Sequence, residues 1–437
     1  MITWRPRTLG HELLIVLVIS APIVAAAAYR ARGWQAGGSD FDDFHRTVRH
    51  GLFEAPYATM PTEFGVFNYH PFFMVLMGPF GLLPMPVAAA VFVLLSIALL
   101  YLAIRAALIE LAPGLPLTRL RIGALSVGLV APYLIQSLLL GQFEAFVLAL
   151  LVFAWLGLEQ RSDYGAGALL AIAVLLKAFP GLLLVWLVLK RRWRALNSAL
   201  AGIVIGGLVL PALMLGPRHS WELQEDWFKR VVVQHSALQE LVRTDDFMWR
   251  HSIEGLPITL RRYLTPQPYL ENQPDATINF VSLPNEPLAI GRWRATPLQL
   301  IYVGIAGAIL AVMLRLTQRP EHRMTLDRWR LEYAFVILVS LLLSPMLWGS
   351  RYFALTWPAW ALLVQQWLRD ERAGHVAWGA RLVALAWVAS LCMWTERLRA
   401  YSVHLWAAVF LAVWVGVAIA RRAERPPTEA ARPADEI

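Results

Sequence analysis

The chain has a single cysteine, Cys392, and it lies in the apolar run Leu382–Trp394. An intramolecular disulfide is therefore excluded, and the thiol reads as a small buried hydrophobe. Charge is scarce as well. Only 16% of the 437 residues are Asp, Glu, Lys or Arg, while 58% are hydrophobic and the mean hydropathy is +0.53. Soluble domains carry about 25% charged residues, so a soluble globular fold is excluded and an all-α polytopic membrane protein is expected. No internal repeat is visible, which speaks against a transporter built from inverted repeats. The net charge of +9 does not indicate nucleic acid. Its arginines sit in short clusters between apolar runs, the pattern of cytoplasmic loops, and no nucleic-acid partner is expected.

Runs of about 20 apolar residues punctuated by Arg and Lys predict about twelve transmembrane spans. They fall near 11–29, 86–109, 122–140, 143–158, 164–178, 180–190, 195–216, 297–317, 331–348, 352–368, 380–395 and 403–420. The first run, Leu13–Tyr29, follows Arg5 and Arg7 and is read as a retained helix rather than a cleaved signal. The segment from Pro71 to Pro84 is too short and too proline-bounded to cross, and reads as interfacial or re-entrant. The short runs 164–178 and 180–190 meet at Pro180, a break expected to line a cavity. Arg119, Arg121, Lys190–Arg194, Arg315–Arg330, Arg369–Arg381 and Arg421–Arg425 alternate onto the side of the N-terminus. Both termini are thus predicted to be cytoplasmic, with two external connections, 30–70 and 217–297. The bundle is expected to occupy residues 1–422, with a disordered cytoplasmic tail over 423–437.

Against this background Ser39-Asp40-Phe41-Asp42-Asp43-Phe44 stands out, an acidic cluster just after the first span. Anchoring a helix does not need it. A glycosyl transfer by direct displacement does need a carboxylate to take the proton of an acceptor hydroxyl. On composition alone a solvated turn is the more ordinary reading of Asp40, Asp42 and Asp43. The Asp-x-Asp spacing would also suit Mg²⁺ or Mn²⁺.

The wider pattern resembles glycosyltransferase family 87, the polyprenyl-phosphate-mannose-dependent mannosyltransferases of the GT-C superfamily. The likeness begins with Asp40-Phe41, Gly51, Tyr57, Tyr69-His70-Pro71 and the Pro79–Pro84 turn. It continues through Leu140-Gly141-Gln142, where the family's following Asn is absent, and through Leu175-Leu176-Lys177-Ala178-Phe179-Pro180, where Ala178 replaces a Pro. Arg250-His251-Ser252 with Arg261, and Leu343-Ser344-Pro345-Met346-Leu347-Trp348, complete it. Where members have His after that Trp, this chain has Gly349-Ser350-Arg351. The likeness covers roughly residues 11–368.

The resemblance implies a GT-C-type bundle with external interfacial helices, in which Asp40 is the catalytic base. It makes Lys177, Arg351, Arg261 and His251 candidates for donor phosphate, and Asp43, Tyr69, His70 and Gln142 candidates for substrate. For Lys177 and Arg351 a snorkelling cation remains an equal reading. His251, Arg261 and Arg262 are open to a solvated-loop reading, and a lone His such as His70 is more often structural. The nearby Trp residues read as an interfacial belt. The activity implied is transfer of a hexose, mannose foremost and arabinose as an alternative, with inversion. The donor is a polyprenyl phosphate sugar and the acceptor a lipid or glycan, at the external face of the inner membrane. The lipid monophosphate leaving group of such a donor is manageable by Arg, Lys and His, so neither a metal nor another cofactor is expected. The competing class is a transporter or flippase of lipid-linked sugars.

Overall fold

The computed structural model describes residues 6–31, 40–51, 69–233, 236–241, 255–265, 268–270, 273–277, 288–290, 293–344, 349–369, 381, 383–385, 388 and 402–421. Its spans are helical because a bilayer offers the backbone no water, so each N–H and C=O must pair within its own segment. The bent pair α1 (Pro6–Ile19) and α2 (Ala21–Arg30) leads into α3 (Asp40–Gly51). Then come α4 (Phe72–Gly81), α5 (Met85–Leu111), α6 (Pro116–Leu139), α7 (Glu144–Glu159), α8 (Asp163–Leu176) and α9 (Leu182–Leu189). Helix α10 (Trp193–Val204) passes through a π-turn, Ile205–Val209, into α11 (Leu210–Leu215). The connection beyond holds α12 (Pro217–Trp227), α13 (Ala237–Glu240) and α14 (Leu256–Leu264). Two short antiparallel hairpins follow, pairing Pro268–Leu270 with Gln273–Thr277 and Leu288–Ile290 with Trp293–Ala295. Last are α15 (Pro297–Thr317), α16 (Leu326–Leu342), a 3₁₀ segment Gly349–Thr356, α17 (Trp357–Arg369) and α18 (Val403–Arg421).

Among the described residues five helices are long and apolar enough to cross a membrane, and the first pair, bent by 49°, makes a sixth if counted as one span. The expected spans 143–158, 164–178, 180–190, 331–348 and 352–368 fall on shorter elements, namely α7, the α8/α9 pair, α16, and α17 with its 3₁₀ lead-in, while the span expected over 380–395 lies mostly outside the described residues. Residues 382, 386, 387, 389–395, and the tail 422–437 lie outside the described set. The break at Pro180 is a 3₁₀ turn, Phe179–Gly181, between α8 and α9.

At the centre of the bundle α7 is apolar along nearly its whole length, and α16 is buried from Arg328 to Leu342, charged residues included. Trp155, Trp186, Trp329 and Tyr333 interlock between them, and Tyr333 Oη donates to Leu151 O at 2.8 Å. Helices α10–α11 and α15 are mostly exposed apolar surface, as a lipid-facing rim requires.

The two ends of the bundle differ in chemistry. At one end buried charges are cross-paired: Lys190 with Glu332 at 2.5 Å, Arg328 with Glu332 at 2.9 Å and Arg330 with Glu159 at 2.7 Å. Arg192 reaches Glu321 at 2.6 Å and Asp163 at 2.8 Å. Arg328 also donates to Leu316 O and Ile419 O. These contacts gather the C-terminal ends of α7, α9, α15 and α18 with the N-terminal ends of α8 and α16. The cations read from sequence as topological markers are therefore also structural clamps. The opposite end of α7 lies 16 residues away, about 24 Å at 1.5 Å per residue. There the acidic cluster is found.

Candidate active site

Asp40 begins a helix, not a solvated turn. Phe41, Phe44 and Val48 fall on one face of α3 and are buried, the i, i+3, i+7 pattern of an amphipathic helix. Phe44 meets Tyr69 and Phe73 edge-on with ring centres 5.0 and 5.1 Å apart, and Phe41 lies 5.4 Å from Phe92. Phe143 closes the same cluster against Phe44, Phe73 and Phe92. His45 Nε2 donates to Leu83 O at 2.9 Å, tying α3 to the turn before α5.

Two bonds fix the start of α3 on the turn between α6 and α7. Phe41 N–H donates to Leu140 O at 3.1 Å, and Gln142 Nε2 donates to Asp40 Oδ2. The approach is close enough to require glycine. Gly141 has φ +66°, and a Cβ there would lie 2.5 Å from Phe41 Cβ. The sequence pair Gly141-Gln142 is thus one device: the glycine admits α3 and the amide holds its carboxylate. Gln142 is buried, and among the described residues its Oε1 has no hydrogen-bond partner. Gln142 Oε1 is thus a buried acceptor next to the Asp40 carboxylate.

The helical geometry separates the acids. Asp40 and Asp42 are two residues apart, about 200° around the helix, so they do not face a common point. Asp42 is buried and bidentate with Arg46, both bonds 2.9 Å. Asp43, half-buried, is on the turn above Asp40, i+3, and shares its side of α3.

Glu144 was not singled out in the sequence. It opens α7 and is 1% exposed, with Oε1 3.3 Å from Lys177 Nζ and Oε2 accepting from Ser137 Oγ at 3.1 Å. Lys177 follows α8 directly and its Nζ lies 4.9 Å from the centre of the Tyr69 ring. Asp40, Gln142, Tyr69 and Lys177 are therefore assembled from four separate segments, with Glu144 among them. The available signal for Glu144 was an acid at the very start of an apolar span, a costly placement without a partner.

His70 has the surroundings of a structural imidazole, the second of its two sequence readings. Its Nδ1 accepts from Phe72 N–H at 3.1 Å, its ring stands edge-on to Trp227 at 4.7 Å, and a Cβ on Gly207 would lie 3.4 Å from its Cε1. Desolvation pushes its pKa down to about 4, against a smaller opposing contribution from Gln224. It is a neutral imidazole wedged against the π-turn of α10–α11, which Gln224 also grips through Gly207 O at 2.5 Å. Arg261 is buried on α14. Its neighbour Arg262 donates to Ser402 Oγ at 3.2 Å, so this pair is not a solvated loop. Arg351 lies in the 3₁₀ segment Gly349–Thr356, while His251 is outside the described residues.

The helical bundle thus gathers a carboxylate, an amide and a cation from separate segments at one end of its core. The sequence matches the model of glycosyltransferase family 87 over residues 67–345, more than half of the chain, and the chain belongs to that family. Asp40 and α3 precede the matched stretch, and Arg351 follows it. The chain is also 26% identical over 251 residues to a polyprenol-phosphate-mannose-dependent alpha-(1-2)-phosphatidylinositol mannoside mannosyltransferase of Mycobacterium tuberculosis. That similarity takes in 51% of this chain and 57% of the relative, so the chain spans little more than half the length of the relative it matches.

Proposed function

We propose that this glycosyltransferase moves a hexose, mannose foremost, from a polyprenyl phosphate sugar to a hydroxyl of a lipid or glycan acceptor. The observation that carries the reading is the tether of Asp40 by Gln142, whose own buried Oε1 has no donor among the described residues. Asp40 takes the proton of the acceptor hydroxyl as its oxygen attacks the anomeric carbon. The bond to the donor phosphate breaks on the opposite side, which inverts the centre. Gln142 Oε1 accepts from a substrate hydroxyl and so reports the sugar or acceptor to the base. Lys177 stabilises the charge that develops on the leaving phosphate. The name of the mycobacterial relative supports a lipid-borne mannose donor.

The test is transfer of label from a radiolabelled polyprenyl phosphate mannose by the purified protein. Donor flux across a vesicle wall without glycosidic product would instead support a flippase. Lys177→Ala is expected to reduce turnover strongly while the protein still accumulates in membranes. Arg351→Ala and Arg261→Ala are the parallel measurements. Near-wild-type turnover in all three would mean that these cations do not bind the leaving phosphate.

The site is proposed to face the outside of the inner membrane, with both termini cytoplasmic within a bundle of about twelve spans. The charge-paired end, rich in Arg and Lys, is then the cytoplasmic one. Reporter fusions after Trp34 and after Asn272 are expected to read as external. A cytoplasmic signal at either would put Asp40 in the compartment where nucleotide sugars, not lipid-borne ones, are the ready donors.

A further inference from the structure

The cation offered for a phosphate is already held by a carboxylate. Lys177 has a side chain 14% exposed and Glu144 one that is 1% exposed, with 3.3 Å between their charged atoms. Charge neutralisation of a half-buried lysine would by itself account for the pair. Its placement adds more. Glu144 stands two residues after Gln142, the residue that holds Asp40. Ser137 Oγ, itself buried on α6, donates to Glu144 Oε2 at 3.1 Å. The carboxylate is thus anchored from behind, and the Tyr69 ring lies 4.9 Å from Lys177 Nζ. Any phosphate that approaches Lys177 meets a negative charge that is fixed in place.

The consequence depends on how the substrate's charge changes. The donor is a phosphodiester with one negative charge. In the transfer, the acceptor oxygen bonds to the anomeric carbon and its proton passes to Asp40. The anomeric carbon–oxygen bond breaks and its electron pair stays on the phosphate. The product is a phosphomonoester, whose charge at neutral pH is about −1.5 to −2, given a second pKa of about 6. Repulsion from a fixed carboxylate therefore rises as the reaction finishes.

We propose that Glu144 is a positioning residue that moderates the grip of Lys177 on phosphate, so that the spent polyprenyl monophosphate is repelled more than the sugar-bearing donor. This rests on the reading of Lys177 as a ligand of the donor phosphate. Glu144 makes no contact with the reacting atoms; it acts through the lysine. Its carboxylate keeps the ammonium neutralised in the empty site and weakens the hold on the product. An uncompensated lysine would bind the dianion as a dead end.

The experiment uses the full chain in lipid nanodiscs and compares two constants. One is the KM for a polyprenyl phosphate sugar, and the other is the inhibition constant of the matching polyprenyl monophosphate. Glu144→Gln keeps the shape and the bond from Ser137 while removing the charge. Its inhibition constant is expected to fall about tenfold, with a smaller fall in KM, because the roughly half to one unit of extra negative charge on the product is the difference being read. A merely structural role would raise both constants or leave both unchanged, and either result overturns the proposal. If Glu144→Gln does not accumulate in membranes, Glu144→Asp is measured. It withdraws the charge by one methylene and is expected to move the inhibition constant a few-fold in the same direction; no change there counts equally against the proposal. A wild-type protein that transfers no sugar and is indifferent to polyprenyl monophosphate refutes the donor reading itself, a result distinct from an unaltered constant in an active Glu144→Gln enzyme.

Discussion

Asp40→Asn is expected to lower turnover by about 10²–10⁴-fold, the usual contribution of a positioned general base. The substitution preserves the volume of the side chain and an oxygen that Gln142 Nε2 can reach, so α3 stays docked through its Phe41 N–H bond to Leu140 O and its aromatic face. What disappears is the acceptor for the hydroxyl proton. Donor binding, measured as the KM for the polyprenyl phosphate sugar, should change little, because the phosphate is assigned to cations. Asp42→Asn should cost far less turnover, since Asp42 is occupied by Arg46 on another face of the helix. Unimpaired transfer by Asp40→Asn would remove this carboxylate from the mechanism. Equal losses from Asp40→Asn and Asp42→Asn, with activity responsive to Mn²⁺, would favour a metal-dependent site instead.

The second large effect is expected at the other end of the bundle, on stability. Lys190 and Glu332 are both fully buried, and Lys190 Nζ also donates to Thr317 O at 2.5 Å and Arg319 O at 2.8 Å. Glu332 serves Arg328 in addition. Glu332→Leu leaves two cations in the interior without their counter-charge, a change that costs about 3–5 kcal/mol when a buried pair is broken. The exposed partner in the same region behaves otherwise. Arg161 is 71% exposed where it meets Glu321 at 3.0 Å, so Arg161→Ala should cost no more than about 1 kcal/mol. Thermal unfolding in detergent, followed by tryptophan fluorescence, has Trp186 and Trp329 close to the cluster as reporters. Adding Lys190→Met to Glu332→Leu is expected to recover part of the loss, because an apolar pair no longer strands the lysine. Equal melting of Glu332→Leu and Arg161→Ala would show that the buried network contributes nothing particular.

Much of the architecture was legible in the residues themselves. Apolar runs with few charges dictate membrane helices, because the bilayer leaves no other way to satisfy the backbone. The runs expected from about 86, 195, 297 and 403 begin within two residues of the helices Met85–Leu111, Trp193–Leu215, Pro297–Thr317 and Val403–Arg421, whereas the run expected from 122 belongs to a helix that starts six residues earlier, at Pro116. The proline-bounded segment after His70, read as too short to cross, forms a helix of 10 residues. The family was also readable, because its motifs are local strings of residues in fixed order. Asp40, Gln142 and Lys177 could be proposed one by one on that basis.

Their meeting could not be read in the same way. Asp40 and Gln142 are 102 residues apart, and only the closeness of α3 to the α6–α7 turn joins them. That closeness is decided by Phe41 against a glycine with positive φ, a fit that no periodicity reports. The helical state of Asp40–Gly51 is likewise tertiary. Its local composition is polar and suits a loop, and it is the burial of Phe41, Phe44 and Val48 against α4 and α5 that makes it a helix. Glu144, Glu332 and Lys190 illustrate the same limit. A charge in a sequence has a sign but no partner, and whether it marks a membrane face, clamps two helices or tempers a phosphate site depends on which opposite charge the fold brings within about 3 Å. The sequence alone determined the material of this protein, apolar helices with a sparse set of ionisable groups. The packing of those helices decided which groups are structural and which converge on one site.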